Sequence, residues 1–208
     1  MVGTASLMDL MRAIVANDAD TVSRLLLASP DLVTGSLVDG ATRHSPKPYW
    51  LRAIGHYVYK GDTALHVAAA AYRHGMIPKL LEAGADVRAR NRRGAEPLHY
   101  AADGGPGSPS WNPQAQAATV AALIAAGADP DAINNSGVAP LHRAVRTRCT
   151  GAVRALLEGG ADARRENKNG STPMKLATST TGRGGSGSAE AKAQQAEIVR
   201  LLRQFGAR

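Results

Sequence analysis

The chain has 208 residues and a formal charge of +8, and 44% of its residues are apolar although only 4% are aromatic. Its single cysteine excludes an intrachain disulfide, and no apolar run is long enough for a membrane-spanning helix. A core built mainly from Ala, Leu, Val and Ile favours thin layers of closely packed helices. We expect a cytoplasmic protein, because a lone cysteine fits a reducing compartment and because Asp9 and Arg12 interrupt the segment that a signal peptide would need.

A nine-residue motif recurs four times along the chain. Its copies begin at Gly61, Gly94, Gly137 and Gly170 and read GDTALHVAA, GAEPLHYAA, GVAPLHRAV and GSTPMKLAT. The first and last intervals are 33 residues, and the middle interval is 43. A second motif follows each copy, as LLEAGAD, LIAAGAD, LLEGGAD and LLRQFGA. Two motifs in a constant order at a common period indicate a repeat protein.

Each repeat is predicted to be a pair of helices. A proline stands in three of the first motifs where it suits the first turn of a helix, because no N–H partner is needed there. Three second motifs carry a glycine that suits a left-handed residue just after a helix: Gly84, Gly127 and Gly160. A single helix pair is too small to bury its own apolar face, so we predict that the pairs stack into a solenoid.

These residues resemble the ankyrin repeat, a 33-residue unit with the signature T-P-L-H-x-A. The resemblance covers roughly residues 4–34 and 60–208, and it implies one all-α domain of stacked helix-turn-helix units with short finger turns. It also implies a non-enzymatic protein that recognises a partner through the concave surface formed by its fingers and first helices. The copies depart from the signature at a few positions, where Glu96 and Ala139 replace Thr, Ala64 replaces Pro and Lys175 replaces His.

Repeat one, at about residues 4–34, is degenerate and keeps only the second motif, as LLLASPD. A finger insertion at 35–60 separates it from repeat two, at about 60–92. Half of the aromatic residues lie in this insertion: Tyr49, Trp50, Tyr57 and Tyr59. The spacing of Trp50, Ile54, Tyr57 and Val58 predicts one face of a short helix. The aromatic rings either pin the insertion against the solenoid or offer an anchor to a partner.

Repeat three, at about 93–135, and repeat five, at about 169–208, carry insertions between their two helices, at 103–114 and 179–190. Repeat four, at about 136–168, is regular. Trp111 in the first loop either pins that loop or contacts a partner. The spacing predicts that the two loops lie about 20 Å apart on one edge of the stack, with the finger insertion on the other edge.

The second loop contains a glycine run that resembles a phosphate-binding loop. Gly182, Gly184 and Gly187 have the spacing G-x-G-x-x-G. The run lacks the Lys-Ser/Thr pair and the preceding strand that such a loop requires, so we interpret it as a rim that leads into a last helix beginning near Ala189.

Three histidines recur at corresponding positions, His66, His99 and His142. Repeats spaced by about 10 Å place these rings too far apart to share a metal ion. The resemblance implies that they make structural hydrogen bonds at the start of each helix. Cys149 has no second cysteine near it and is predicted to be a structural thiol. We therefore expect no catalytic, cofactor or metal site.

The basic residues form groups, as RARNRR at 88–93, as RRENKN at 164–169, and as Arg143 and Arg146 on the first helix of repeat four. By family analogy they line the concave groove. The predicted partner-binding residues are Arg90, Arg92, Arg93, Tyr100, Asp103, Trp111, Arg143, Arg146 and Lys168. We expect a monomeric scaffold that binds a protein, and a basic groove favours an acidic one.

Two alternatives stay open at this point. The same groove is suited to nucleic acid, although the chain carries no recognised nucleic-acid motif. A nucleotide-using enzyme built on the glycine run is the third interpretation. No membrane association is expected.

Overall fold

The computed structural model describes residues 5–106, 110–179 and 189–207. Within these ranges the chain forms ten α-helices in five consecutive pairs, joined by turns and short 3-10 segments. The helices are α1 (Leu7–Ala16), α2 (Ala19–Ala28), α3 (Ala64–Ala70), α4 (Ile77–Glu82), α5 (Pro97–Ala101), α6 (Pro113–Ala125), α7 (Pro140–Thr147), α8 (Thr150–Glu158), α9 (Pro173–Thr178) and α10 (Ala189–Gln204). None of these helices is both long enough and apolar enough to cross a membrane.

Local sequence signals set where the helices begin and end. Prolines occupy the first position of α5, α7 and α9, where a missing N–H costs nothing. After the second helices of repeats two, three and four, Gly84, Gly127 and Gly160 adopt φ of +106°, +94° and +95°. A side chain would strain this left-handed conformation, so glycine is the residue that ends these helices.

The helices pack as two layers. The first helices form one row, in which α1 contacts α3, α3 contacts α5, α5 contacts α7, and α7 contacts α9. The second helices form the other row, with contacts from α4 to α6, α6 to α8 and α8 to α10. Each helix buries its apolar residues against the neighbouring repeats, as shown by the buried leucines Leu65, Leu98, Leu141, Leu80, Leu123, Leu156 and Leu201. This arrangement confirms the expected all-α solenoid.

The finger insertion folds as a hairpin, and the predicted helix is wrong. Strand β1 (Trp50–Leu51) pairs antiparallel with β2 (His56–Tyr57), and a 3-10 turn ending at Gly55, with φ of +60°, connects them. Trp50 and Tyr57 face each other with ring centroids 4.4 Å apart. Residues seven apart share a helical face and also meet across a hairpin of this length, so the spacing alone did not distinguish the two structures.

The finger insertion, which contains the hairpin, extends from the fingers to the loop between α5 and α6. Arg92 in the next finger donates to the carbonyl of Ala41 at 3.0 Å, which holds the start of the insertion. At the far end, the Ser110 hydroxyl donates to the carbonyl of Ile54 at 3.3 Å. The expectation that the insertion and the repeat-three loop lie on opposite edges is therefore wrong, because the two are in contact. Burial of apolar residues in the hairpin explains why it folds onto the helices.

Candidate functional site

The three repeated histidines link each repeat to the next. In each one, Nδ1 accepts a hydrogen bond from the backbone N–H three residues earlier, at 3.1 to 3.2 Å. On the other side of each ring, Nε2 donates to a backbone carbonyl of the next repeat or finger at 3.0 Å. These carbonyls belong to Ala95, Val138 and Arg165. Burial lowers the pKa of all three rings, to about 3 for His99, which keeps them neutral. The structural role expected for these histidines is confirmed. In the part of the chain that the structure describes, no group of His, Cys, Asp and Glu side chains is arranged to hold a metal ion.

Trp111 braces the repeat-three loop through a buried amide. Its Nε1 donates to Oε1 of Gln116 at 2.8 Å, and the same oxygen accepts a hydrogen bond from the Cys149 thiol at 2.6 Å. The Gln116 Nε2 donates to the carbonyls of Ala101 and Asp103 at 2.9 and 3.1 Å. Burial raises the pKa of the Cys149 thiol, so it remains protonated in this network. Of the two interpretations of Trp111, these contacts favour pinning.

Two of the predicted site residues connect neighbouring fingers. The Arg90 Nη2 donates to the carbonyl of Ile133 at 2.7 Å, and the Lys168 ammonium donates to the carbonyl of Asn135 at 2.6 Å. Both cations therefore satisfy backbone oxygens in an adjacent turn. They line neither of the two cavities described below.

A cavity of about 310 Å³ lies between the hairpin and α7. We call it the arginine cavity. Its lining residues are Gly55, His56, Tyr57, Tyr59, Arg93, Ala95, Tyr100, Asp103, Arg143 and Arg146. Five of the nine residues predicted from the sequence thus meet around one space, and the insertion supplies the opposite wall.

Tyr100 forms the floor of the arginine cavity and is only 4% exposed. Its hydroxyl donates to the Asp62 carboxylate, whose two oxygens lie 2.9 and 3.0 Å away. The Asn91 amide donates to both Asp62 and the Tyr100 hydroxyl, at 2.8 and 2.9 Å, and Asp62 also accepts from the backbone N–H of Tyr59 at 2.7 Å. Burial raises the pKa of Tyr100. Because this network occupies its hydroxyl, Tyr100 fixes the shape of the cavity and the position of the hairpin.

The walls of the arginine cavity are cationic. Arg93 stacks on Tyr59, with Cζ 4.0 Å from the ring centroid. The Arg143 Nη1 lies 3.4 Å from Oδ2 of Asp103, and its side chain is 13% exposed. Arg146 lies one turn further along α7 and is exposed. Neither Arg93 nor Arg146 makes an ion pair with any residue that the structure describes.

A second cavity of about 400 Å³ adjoins the first. We call it the finger cavity. It is lined by Ala41, Thr42, Arg43, Pro46, Tyr57, Tyr59, Arg92 and Arg93. Three residues line both spaces, Tyr57, Tyr59 and Arg93, so the two cavities form one continuous surface. The described lining residues carry five arginines and a single carboxylate, that of Asp103.

Sequence reasoning missed Arg43 and His56 as parts of this surface. Arg43 lies in the insertion, outside both basic groups, and His56 has no spacing to another ligand. The available signal was the concentration of tyrosines in the insertion, which line both cavities together with the arginines. The glycines Gly182, Gly184 and Gly187 lie outside the described residues, and α10 begins at Ala189 as expected.

Two family models match the chain. One, described as ankyrin repeats in three copies, matches residues 10–108, and another, described as ankyrin repeats in many copies, matches residues 123–177. No curated protein sequence matches the chain. The two matches agree with the stacked helix pairs. The chain therefore belongs to the ankyrin-repeat family, whose members are generally protein–protein interaction modules and are typically not enzymes.

Proposed function

We propose that this protein is a binding module that holds an acidic segment of a partner protein on the surface formed by the arginine and finger cavities. The observation that carries the proposal is the excess of cationic side chains, five arginines against one carboxylate, around two half-exposed tyrosines. Arginine and tyrosine are the residues that most often carry binding energy at protein interfaces. Positive charge in a cleft also attracts an acidic partner during encounter.

The position of the hairpin supports a narrow rather than a broad contact. The insertion contacts the repeat-three loop through Ile54 and Ser110. The arginine cavity lies between Tyr57 on the hairpin and Arg146 on α7. A surface of this shape suits an extended segment better than a globular face.

The proposal keeps the remaining expectations from the sequence. The module is a monomeric, cytoplasmic single domain of five repeats, with insertions at 35–60, 103–114 and 179–190. Light scattering at several concentrations tests the monomer, and limited proteolysis tests whether the chain behaves as one domain.

Capture from a lysate of the host cell tests the binding surface. The double variant Arg93→Glu, Arg146→Glu reverses two unpaired charges, and Lys192→Glu, Arg203→Glu makes the same charge change on exposed positions of α10. We expect proteins recovered with the wild type to be retained by the α10 variant and lost with the cavity variant. Their recovery should decrease as salt increases. Equal recovery with all three proteins would contradict the proposal, provided that circular dichroism shows each variant folded.

Nucleic acid is an alternative outcome of the same capture. It would appear as recovery that nuclease abolishes, with an affinity that falls steeply with salt as phosphate contacts release counterions. The links that Arg90 and Lys168 make to neighbouring fingers reduce the continuous basic track that such binding would use.

A further inference from the structure

The guanidinium groups around the arginine cavity converge from separate parts of the chain. Arg93 comes from a finger turn, and Arg143 and Arg146 come from α7. Asp103 is the only carboxylate among the described lining residues, and at 3.4 Å it offsets one of the three charges. Like charges gathered in one cleft repel each other unless an anion joins them, so the free protein retains an excess of about two positive charges at this point.

A histidine with an unpaired ring nitrogen lies in the same wall of the cavity. His56 lines the arginine cavity and also a neighbouring polar cavity of about 230 Å³. Its ring packs edge-on to Tyr100 with centroids 4.9 Å apart. Its Nε2 is buried and has no hydrogen-bond partner in the described part of the chain. Buried polar atoms are nearly always paired, so a nitrogen that is unpaired in the described chain favours a ligand-binding role for this wall.

The chemistry of these groups favours a phosphate monoester over a single carboxylate. A phosphate on a side chain carries about −1.5 to −2 charges at pH 7 and three acceptor oxygens, which matches the excess charge of the cavity. Arginine binds phosphate oxygens in a bidentate manner, and groups of arginines are a recurring means of recognising phosphorylated segments. The rings of Tyr57 and Tyr59 supply an apolar wall for the carbon atoms that carry the phosphate.

We propose that the arginine cavity binds a phosphate monoester carried by a side chain of the partner protein, between Arg93, Arg143 and Arg146 and against Tyr57 and Tyr59. The inference rests on the proposed function, because it names the group of the partner that occupies the same surface. The partner would thus be recognised only after its phosphorylation.

Titration calorimetry with small probes tests the inference directly. Phenyl phosphate represents the phosphorylated side chain, benzoate is the singly charged carboxylate control, and inorganic phosphate reports the anion without an apolar group. We expect phenyl phosphate to bind at least about tenfold more tightly than benzoate, since the extra charge and oxygen engage a further guanidinium. It should also bind more tightly than inorganic phosphate, because the tyrosine wall contributes only when carbon is attached.

Variants separate the site from the net charge of the protein. Arg146→Gln removes the charge of a cavity arginine whose side chain makes no hydrogen bond or ion pair with the residues that the structure describes. Arg203→Gln removes a matched charge from an exposed position of α10. We expect Arg146→Gln to weaken phenyl phosphate binding about five- to tenfold, as loss of one charge-assisted contact should, while Arg203→Gln changes it less than about twofold.

Three results would overturn the inference. They are the absence of saturable phenyl phosphate binding to the wild type, equal affinity for benzoate and phenyl phosphate, and equal weakening by the two variants. If the probes fail while an unphosphorylated acidic protein is still captured at the cavity, this inference is wrong and the proposed function stands. If the probes bind but no protein is captured, the site is real and the proposed function is wrong.

Discussion

At the scale of single residues, neutral imidazoles connect the repeats. Each ring uses both nitrogens, Nδ1 as an acceptor and Nε2 as a donor, so the hydrogen bonds require the tautomer with a proton on Nε2. A second proton would remove the Nδ1 acceptor and place a charge in the core. The repeated histidines therefore make the stack sensitive to acid.

We expect stability to fall as the pH is lowered below about 6.5. The folded pKa of His66, His99 and His142 is lowered from 6.5, so their full contribution is present above pH 6.5 and is lost as the pH falls below that value. Between pH 6.5 and its folded pKa of about 3, His99 contributes a slope of about 1.4 kcal/mol per pH unit, and His66 and His142 add to the slope in the same direction. Urea unfolding followed by circular dichroism measures the slope. His99→Asn should reduce it by up to about 1.4 kcal/mol per pH unit, and His44→Gln, at an exposed position, is the control. A free energy of unfolding that does not vary with pH would contradict this account.

Glu96 stands where repeats two and five place a threonine, and it is poorly accommodated. It is 5% exposed, its Oε2 is buried with no partner in the described chain, and the nearest cation is Arg90 at 3.9 Å. Burial raises the pKa of its carboxyl. The equivalent Thr63 and Thr172 accept hydrogen bonds from the N–H three residues later, at 3.4 and 3.2 Å.

We expect Glu96→Thr to stabilise the protein by about 1 to 2 kcal/mol, because it removes an unpaired buried oxygen and adds a helix cap. Thr172→Ala is the converse change and should destabilise by about 1 kcal/mol. Thermal unfolding at neutral pH compares the two variants with the wild type. A lower melting temperature for Glu96→Thr would show that the carboxylate has a favourable role beside Arg90.

At the scale of the elements, an arginine after α3 adds a polar link between repeat one and repeat two. Repeat one lacks the first motif, so no repeated histidine secures it to repeat two. Instead Arg73, after α3, donates to the carbonyls of Ile14 and Val15 at the end of α1, at 3.3 and 2.5 Å. A cation at this position also stabilises the negative end of the helix.

We expect Arg73→Met to loosen α1 and α2 while leaving the later repeats folded, since a solenoid is held by contacts between neighbours. The loss of two charge-assisted hydrogen bonds to half-buried carbonyls should lower the local opening free energy by about 2 to 3 kcal/mol. Hydrogen exchange measured peptide by peptide would detect it as faster exchange confined to residues 7–28. Arg12→Met removes an exposed arginine from α1 and is the control. Unchanged protection in Arg73→Met would show that apolar packing alone holds repeat one.

At the scale of the whole molecule, the sequence predicted the helical array well because its signals are local. Proline at the start of a helix, leucines at constant spacing and glycine after the second helix each act within one repeat. The hairpin was not predicted, because positions 50 and 57 satisfy a helical face and a paired strand equally. Gln116 gave no signal either, since its role depends on groups that only the fold brings together.

The candidate site was predicted in part for the same reason. Arg93, Arg143 and Arg146 were found because basic residues group along the chain. The same criterion also selected Arg90 and Lys168, which bond to neighbouring fingers. Charge can be read from a sequence, but whether a cation faces a cavity or a carbonyl depends on the register between fingers. His56 joined the site through the hairpin, whose path across the helices no repeat motif encodes.

The contact between the hairpin and the repeat-three loop has a consequence for how the groove meets its ligand. A regular stack of repeats bends easily, because each repeat contacts only its immediate neighbours. Here the finger insertion is hydrogen-bonded to the next finger at Ala41 and to the repeat-three loop at Ile54, and we expect these contacts to resist bending across the first three repeats. We therefore expect the cavity walls to keep their shape before a ligand binds. A ligand that enters does not have to order them, and such rigidity favours affinity from a small area of contact.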